Sequence, residues 1–212
     1  MEVDPPPEEI MSTTIIHQGK VLRFDKLAVK LPSGRIYARE IVEHPGAVTL
    51  IPIIGDKVVL VRQFRLSAGK VIYELPAGTI SSGESPEACA EREIAEETGY
   101  RAGELKKVFQ CYLAPGYSTE LMHFYLATGL VTGKQNLDED VIRVCPTQLK
   151  DALDMVKRNE IIDAKTTVGL LLYEEFGRSL INCSQRLIIP TEHGDFKTQP
   201  ATWALNIFDA IE

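Results

Sequence analysis

Between Ser85 and Gly99 the chain carries a helix signature whose charge pattern an isolated helix would not favour. Ser85 is an N-cap acceptor, and Pro86 suits the first helical position, where the missing N–H has no intrahelical partner to lose. Gly99 takes the left-handed position that ends a helix without a Cβ clash. Inside these marks stand five carboxylates, Glu87, Glu91, Glu93, Glu96 and Glu97. Glu93 and Glu97 are four apart and lie one above the other, with Glu96 on the neighbouring line. Like charges at this spacing cost about 0.2–0.5 kcal/mol per pair, and the last turn is the unfavourable end because the helix dipole is negative there. Arg92 offsets only part of this. The loop ahead, with Gly78, Gly83 and Glu84, can bring a backbone carbonyl and a further carboxylate over the same face. Such an oxygen-rich cluster suits a hard divalent cation such as Mg²⁺, which also bridges to phosphate oxygens.

Size and charge narrow what this cluster can serve. A chain of 212 residues buries about 70 % of its unfolded surface, enough for one ordinary core and an appendage. A net charge of −7 gives no electrostatic footprint for nucleic acid or an anionic membrane, so an anionic ligand must be met by local arginines and metal. No apolar run is long enough to span a bilayer, and the start MEVDPPPEEI is unlike a signal peptide, which leaves the cytoplasm as the expected location. Cys89, Cys111, Cys145 and Cys183 are widely spaced and read as small buried hydrophobes; the four histidines are equally scattered and form no zinc pattern.

Along the chain, residues 1–11, with three consecutive prolines and four acids, read as a disordered or extended lead. Residues 13–17, 20–30 and 35–43 read as strands of a small antiparallel unit, the last two joined by a Pro32-Ser33-Gly34 turn. Residues 47–54 and 57–64 form a second apolar strand system around Gly55-Asp56, and 71–75 is the strand that leads to the acidic helix. Strands follow at 103–111, 121–130 and 141–145, and helical spacing at 147–158 and 163–176. Residues 178–212 return to strand-like segments, a polar loop and an apolar tail. The pattern predicts an α/β (α+β) fold: a mixed sheet between helices, with a small N-terminal antiparallel sheet at 12–43, a main domain at 44–177 and an extension at 178–212.

Gly78, Glu84 and Arg92-Glu93-Ile94-Ala95-Glu96-Glu97-Thr98-Gly99-Tyr100 match, with their spacing, the signature of the Nudix hydrolases at every fixed position. Glu74-Leu75-Pro76-Ala77-Gly78, Val61-Arg62-Gln63-Phe64-Arg65 and Ala114-Pro115-Gly116-Tyr117-Ser118-Thr119-Glu120 resemble the branch of ADP-ribose pyrophosphatases and related nucleoside diphosphate sugar hydrolases. The resemblance covers about residues 12–177. It implies hydrolysis of ADP-ribose, or a similar ADP-sugar, with Mg²⁺ as cofactor and Mn²⁺ able to stand in; UDP- or GDP-sugar hydrolysis and a non-catalytic binding module are the alternatives. Glu93 and Glu97 would be metal ligands with the Ala77 carbonyl, joined or supported by Glu96 and Glu84, and Arg92 would hold the carboxylates in place. Arg65, with Arg62, would meet the diphosphate, Glu74 would face the sugar side, and Glu120 and Tyr117 would lie on a loop that closes over substrate. Leu121 stands where relatives often carry Arg or Lys, a departure that bears on substrate choice. The general base would lie in the acidic loop 136–140; an ungapped alignment puts Asp138 there and a one-residue slip puts Glu139, which we assign for its longer reach. The resemblance also implies a homodimer through the N-terminal sheet.

Overall fold

The computed structural model describes residues 7–133 and 142–177. Expectations for 178–212, and for the acidic loop with Asp138 and Glu139, lie outside the described residues. Among the described residues, twelve strands and three α-helices follow in an order close to that predicted, and those up to Leu170 belong to one compact unit.

The first three strands, β1 (Glu9–Gln18), β2 (Arg23–Lys30) and β3 (Ile36–Glu43), form a small antiparallel sheet in sequence order. β1 starts inside the segment read as a lead, because Glu9 pairs with Lys30 across the ladder. The second strand starts later than expected: Gly19 N–H donates to the Leu22 carbonyl at 2.8 Å, closing a turn where the sequence suggested strand. The sheet is tied to the rest of the chain at its last residues. Val42 N–H donates to the Tyr117 carbonyl (2.7 Å), Thr119 N–H returns a bond to the Val42 carbonyl (3.1 Å), and His44 N–H reaches the Thr119 hydroxyl (2.8 Å).

β4 (Ala47–Ile54) and β5 (Lys57–Arg65) leave the Gly55-Asp56 turn as a hairpin but pair only at Ile53–Val58 and Ile54–Lys57. They then splay. β4 takes β10 (Leu121–Thr128) in parallel and β7 (Ala77–Thr79) antiparallel, while β5 takes β6 (Lys70–Glu74) and β12 (Ile142–Gln148). β9 (Glu104–Tyr112) closes one edge against β10, and β8 (Tyr100–Arg101) pairs with β11 (Val131–Thr132) separately. The result is a seven-stranded mixed sheet flanked by helices.

β4 is the centre of that sheet, and its near-continuous apolar run reflects cover on both faces. Val48 and Leu50 pack under Cys89, Ala90 and Ile94 of α1 (Pro86–Thr98). On the other face Ile51 lies under α3 (Ala164–Leu172): a Cβ at Gly169 would sit 3.4 Å from Ile51 and 2.5 Å from Leu75. α2 (Leu149–Lys157) buries Ala152 and Met155. Among the described residues no helix is long and apolar enough to cross a membrane.

Candidate active site

The local code of α1 works as the sequence predicts. Ser85 Oγ accepts from Ala88 N–H at 3.1 Å, Gly99 sits at φ 71°, and its N–H donates to the Ala95 carbonyl. These ends fix the helix so that Glu93 and Glu97 face the β6–β7 connection while Arg92 spreads across the glycine loop.

Arg92 is the hub of the cluster. Its Nε and Nη2 both reach Glu84 at 2.9 Å, and Nη1 donates to Glu93 at 2.6 Å and Glu96 at 2.9 Å. Nη2 also approaches the Thr79 carbonyl at 3.3 Å, anchoring the fork to the loop. Hydrogen bonds from Arg92, helped by the Ser81 N–H, pull the Glu84 carboxyl down to about 2. The Arg92 guanidinium is in turn driven further above its ordinary range, chiefly by Glu84. One cation thus offsets three carboxylates, the positive partner that the charge pattern of the helix required.

Glu93 is buried, and Glu97 beside it is partly buried. Burial raises the Glu93 carboxyl above its ordinary value against the opposing pull of Arg92. Glu97 is pushed up to about 7, again chiefly by burial, with the Ala77 N–H opposing at 2.9 Å and the Glu93 charge adding to the rise. Two carboxyls made reluctant to ionise by burial and by neighbouring carboxylates form a setting in which a divalent cation is the natural partner. Gly78 makes room for the Glu93 carboxylate: a Cβ there would fall 1.7 Å from Glu93 Oε1. The residues therefore fit a hard, oxygen-seeking cation. Among the described residues no three acidic, histidine or cysteine side chains converge as a finished cage. The physical reason is visible in the bonding, since Glu84, Glu93 and Glu96 turn to Arg92 and Glu97 turns to the Ala77 N–H.

Arg65 and Glu74 meet each other directly. Nε and Nη2 of Arg65 grip the two Glu74 oxygens at 2.6 Å each, so the carboxylate that the sequence aims at the sugar side is 1 % exposed and fully engaged. Arg62, three residues back and on the opposite face of β5, lays its guanidinium 4.9 Å from the centre of the Tyr73 ring. Glu120 Oε1 lies 3.9 Å from His44 Nε2, and Tyr117 is exposed on the loop fastened to Val42. That loop is pinned at its far side as well as joined to β9 and β10.

Three residues of this neighbourhood escaped the sequence reading. Lys165 Nζ donates to Glu74 at 2.7 Å and to Asp163 at 2.9 Å, and Thr166 Oγ1 accepts from Leu75 N–H at 2.7 Å. Asp163 also accepts from Thr166 N–H, which is the cap of α3. Asp163-x-x-Thr166 is legible as a helix start, but nothing local links Lys165 to a glutamate 91 positions earlier.

Comparison with known proteins shows the family. The NUDIX domain matches residues 43–170. The chain belongs to the Nudix family. Within it, the chain falls in the branch that resembles ADP-ribose pyrophosphatases, and it is a hydrolase of that family. It is 40 % identical over 167 residues to an ADP-ribose pyrophosphatase of Bacillus subtilis (strain 168), covering 77 % of this chain and 90 % of the relative. It is 38 % identical over 168 residues to a methanol dehydrogenase activator of Bacillus methanolicus, with the same coverage of 77 % and 90 %. A crystal structure of an ADP compounds hydrolase superimposes with a TM-score of 0.74 at 20 % identity, over 84 % of this chain and 98 % of that one, and so shares the fold.

Proposed function

We propose that the protein hydrolyses the diphosphate bond of ADP-ribose, or of a similar ADP-sugar, giving AMP and the sugar phosphate. The observation that carries this reading is the cluster in which Arg92 gathers Glu84, Glu93 and Glu96 beside the partly buried Glu97, on a chain 40 % identical to an ADP-ribose pyrophosphatase. Glu93 and Glu97 would hold Mg²⁺, or Mn²⁺ in its place, with the Ala77 carbonyl, joined or supported by Glu96 and Glu84. The cation, when bound, neutralises charge on the diphosphate and lowers the pKa of water. Arg92 keeps the carboxylates apart and oriented. Arg65 spends Nε and Nη2 on Glu74 and keeps Nη1, on a side chain 40 % exposed, to meet a phosphate oxygen. Glu139, with Asp138 as the alternative, takes the proton from the attacking water. Arg62, stacked on Tyr73, contributes long-range positive charge, and Glu120 and Tyr117 border the substrate from the loop held by Val42.

The N-terminal sheet supports a homodimer. β1 is an edge strand on which Ile10, Met11, Ile15 and Ile16 are all more than half exposed, a template that a second copy of this chain would cover. The test of the activity is product release from ADP-ribose, UDP-glucose and GDP-mannose in parallel, each with Mg²⁺ and with chelator. The expected result is Mg²⁺-dependent AMP from ADP-ribose. A clear preference for UDP-glucose or GDP-mannose would move the base specificity, and no product from any of the three would leave a binding module.

A further inference from the structure

The contacts around Glu74 and Leu75 do more than join a helix to a strand. The short connection from β6 to β7, with the residues that flank it, is gripped from outside at four points. Arg65 and Lys165 hold the Glu74 carboxylate, Thr166 Oγ1 takes the Leu75 N–H, Leu50 N–H and the Thr49 hydroxyl reach the Pro76 carbonyl at 2.9 and 3.2 Å, and Ala77 N–H ends on Glu97. Two of these grips come from the first turn of α3. Asp163 sets that turn by bonding Lys165 Nζ, Thr166 N–H and Thr166 Oγ1, and Gly169 one turn later lets the helix approach Leu75 closely enough that a Cβ would come within 2.5 Å.

The chemistry of this arrangement argues for placement over cohesion. Lys165 and Glu74 are 7 % and 1 % exposed, and desolvating such a pair returns little net stability compared with well-packed apolar side chains. What a buried, fully bonded ion pair does supply is a fixed geometry, and here it fixes the residues just before Ala77 and Gly78. We infer that the N-terminal turn of α3, through Lys165 and Thr166 set by Asp163, is the positioning device that holds the Ala77–Gly78 segment in register with Glu93 and Glu97 for the cation. Lys165 and Thr166 act through Glu74 and Leu75 and touch neither cation nor substrate. The inference rests on the reading of Ala77, Glu93 and Glu97 as the cation site.

Its test is Mn²⁺ binding to the substrate-free protein, followed by the electron paramagnetic resonance of free Mn²⁺, in the wild type, Thr166→Val, Thr166→Ser and Lys165→Arg. Thr166→Val keeps shape and removes the hydroxyl, and it is expected to weaken Mn²⁺ about tenfold or more. Thr166→Ser restores the oxygen and is expected to return affinity towards the wild type. Lys165→Arg keeps the charge while displacing the Glu74 carboxylate, and is expected to weaken binding in the same direction by less. In turnover, Thr166→Val should raise the Mg²⁺ concentration for half-activity and leave the ADP-ribose KM at saturating Mg²⁺ unchanged. If Thr166→Val does not fold, Lys165→Arg and Thr166→Ser carry the comparison. Wild-type Mn²⁺ affinity in every variant that folds overturns the inference, as does a wild type that binds no Mn²⁺. Weakened Mn²⁺ binding in Thr166→Val beside a wild type that hydrolyses no nucleotide sugar would overturn the proposed activity and leave the positioning role standing.

Discussion

Glu74 differs from its neighbours in the cluster because its environment favours ionisation. Burial alone would raise its pKa, but the Arg65 hydrogen bonds and the nearby Lys165 outweigh that and leave the carboxyl below its ordinary value of 4.5. A carboxyl whose folded-state pKa is lowered contributes stability that is complete above the unfolded value and is lost as pH falls through the folded one. The metal-free protein should therefore lose stability on acidification below 4.5, and Glu74→Gln should flatten that part of the curve. Urea midpoints measured through this pH range check it, and parallel curves for the two proteins would contradict it. Glu93 and Glu97 run the other way, since burial raises both. This contrast separates the role the sequence suggests for Glu74 from the one it is built into. Spacing within one helix reveals Glu93, Glu97 and Arg92, whereas the partner that defines Glu74 stands 91 positions away and leaves no local trace.

At the scale of elements, α1 was fully legible because its instructions are local: a cap at Ser85, a proline at its first position and a glycine at its end. Removing the cap in Ser85→Ala leaves Ala88 N–H without its acceptor and should cost about 1 kcal/mol, seen as a lower urea midpoint at unchanged slope. An unchanged midpoint would show that the loop, and not the cap, sets the start of the helix. The β4–β5 pair was only half legible. Gly55-Asp56 announces the hairpin, but a strand that is apolar on both faces has no alternation to declare its register, so neither the splaying beyond the Ile53–Val58 pair nor the parallel entry of β10 could be read. The short strands β7, β8 and β11 were missed for a related reason, being two or three residues long with no room for a period.

Across the whole molecule, a junction links the N-terminal sheet to the loop that carries Tyr117 and Glu120. Val42 exchanges backbone bonds with Tyr117 and Thr119, and His44 continues the contact through Thr119 and towards Glu120. A second copy of the chain pressing on the exposed side chains of β1 would thus act on a sheet fastened to that loop. Ile15→Lys places a charge on β1 and should convert the proposed dimer to monomer in sedimentation; a monomeric wild type would contradict the dimer, and a dimer in the variant would direct the search to another surface. The central claim concerns chemistry held by α1, and it predicts a sharp dependence on one carboxylate. Glu97→Gln keeps an oxygen for the Ala77 N–H, so the fold should survive, while a charge is lost where the cation would bind. The decisive measurement is AMP release from ADP-ribose by wild type and Glu97→Gln at saturating Mg²⁺ and with chelator. The account predicts release by the wild type that chelator abolishes, and a fall of about a hundredfold in the variant; equal rates in the two proteins, or release that chelator leaves untouched, would contradict it.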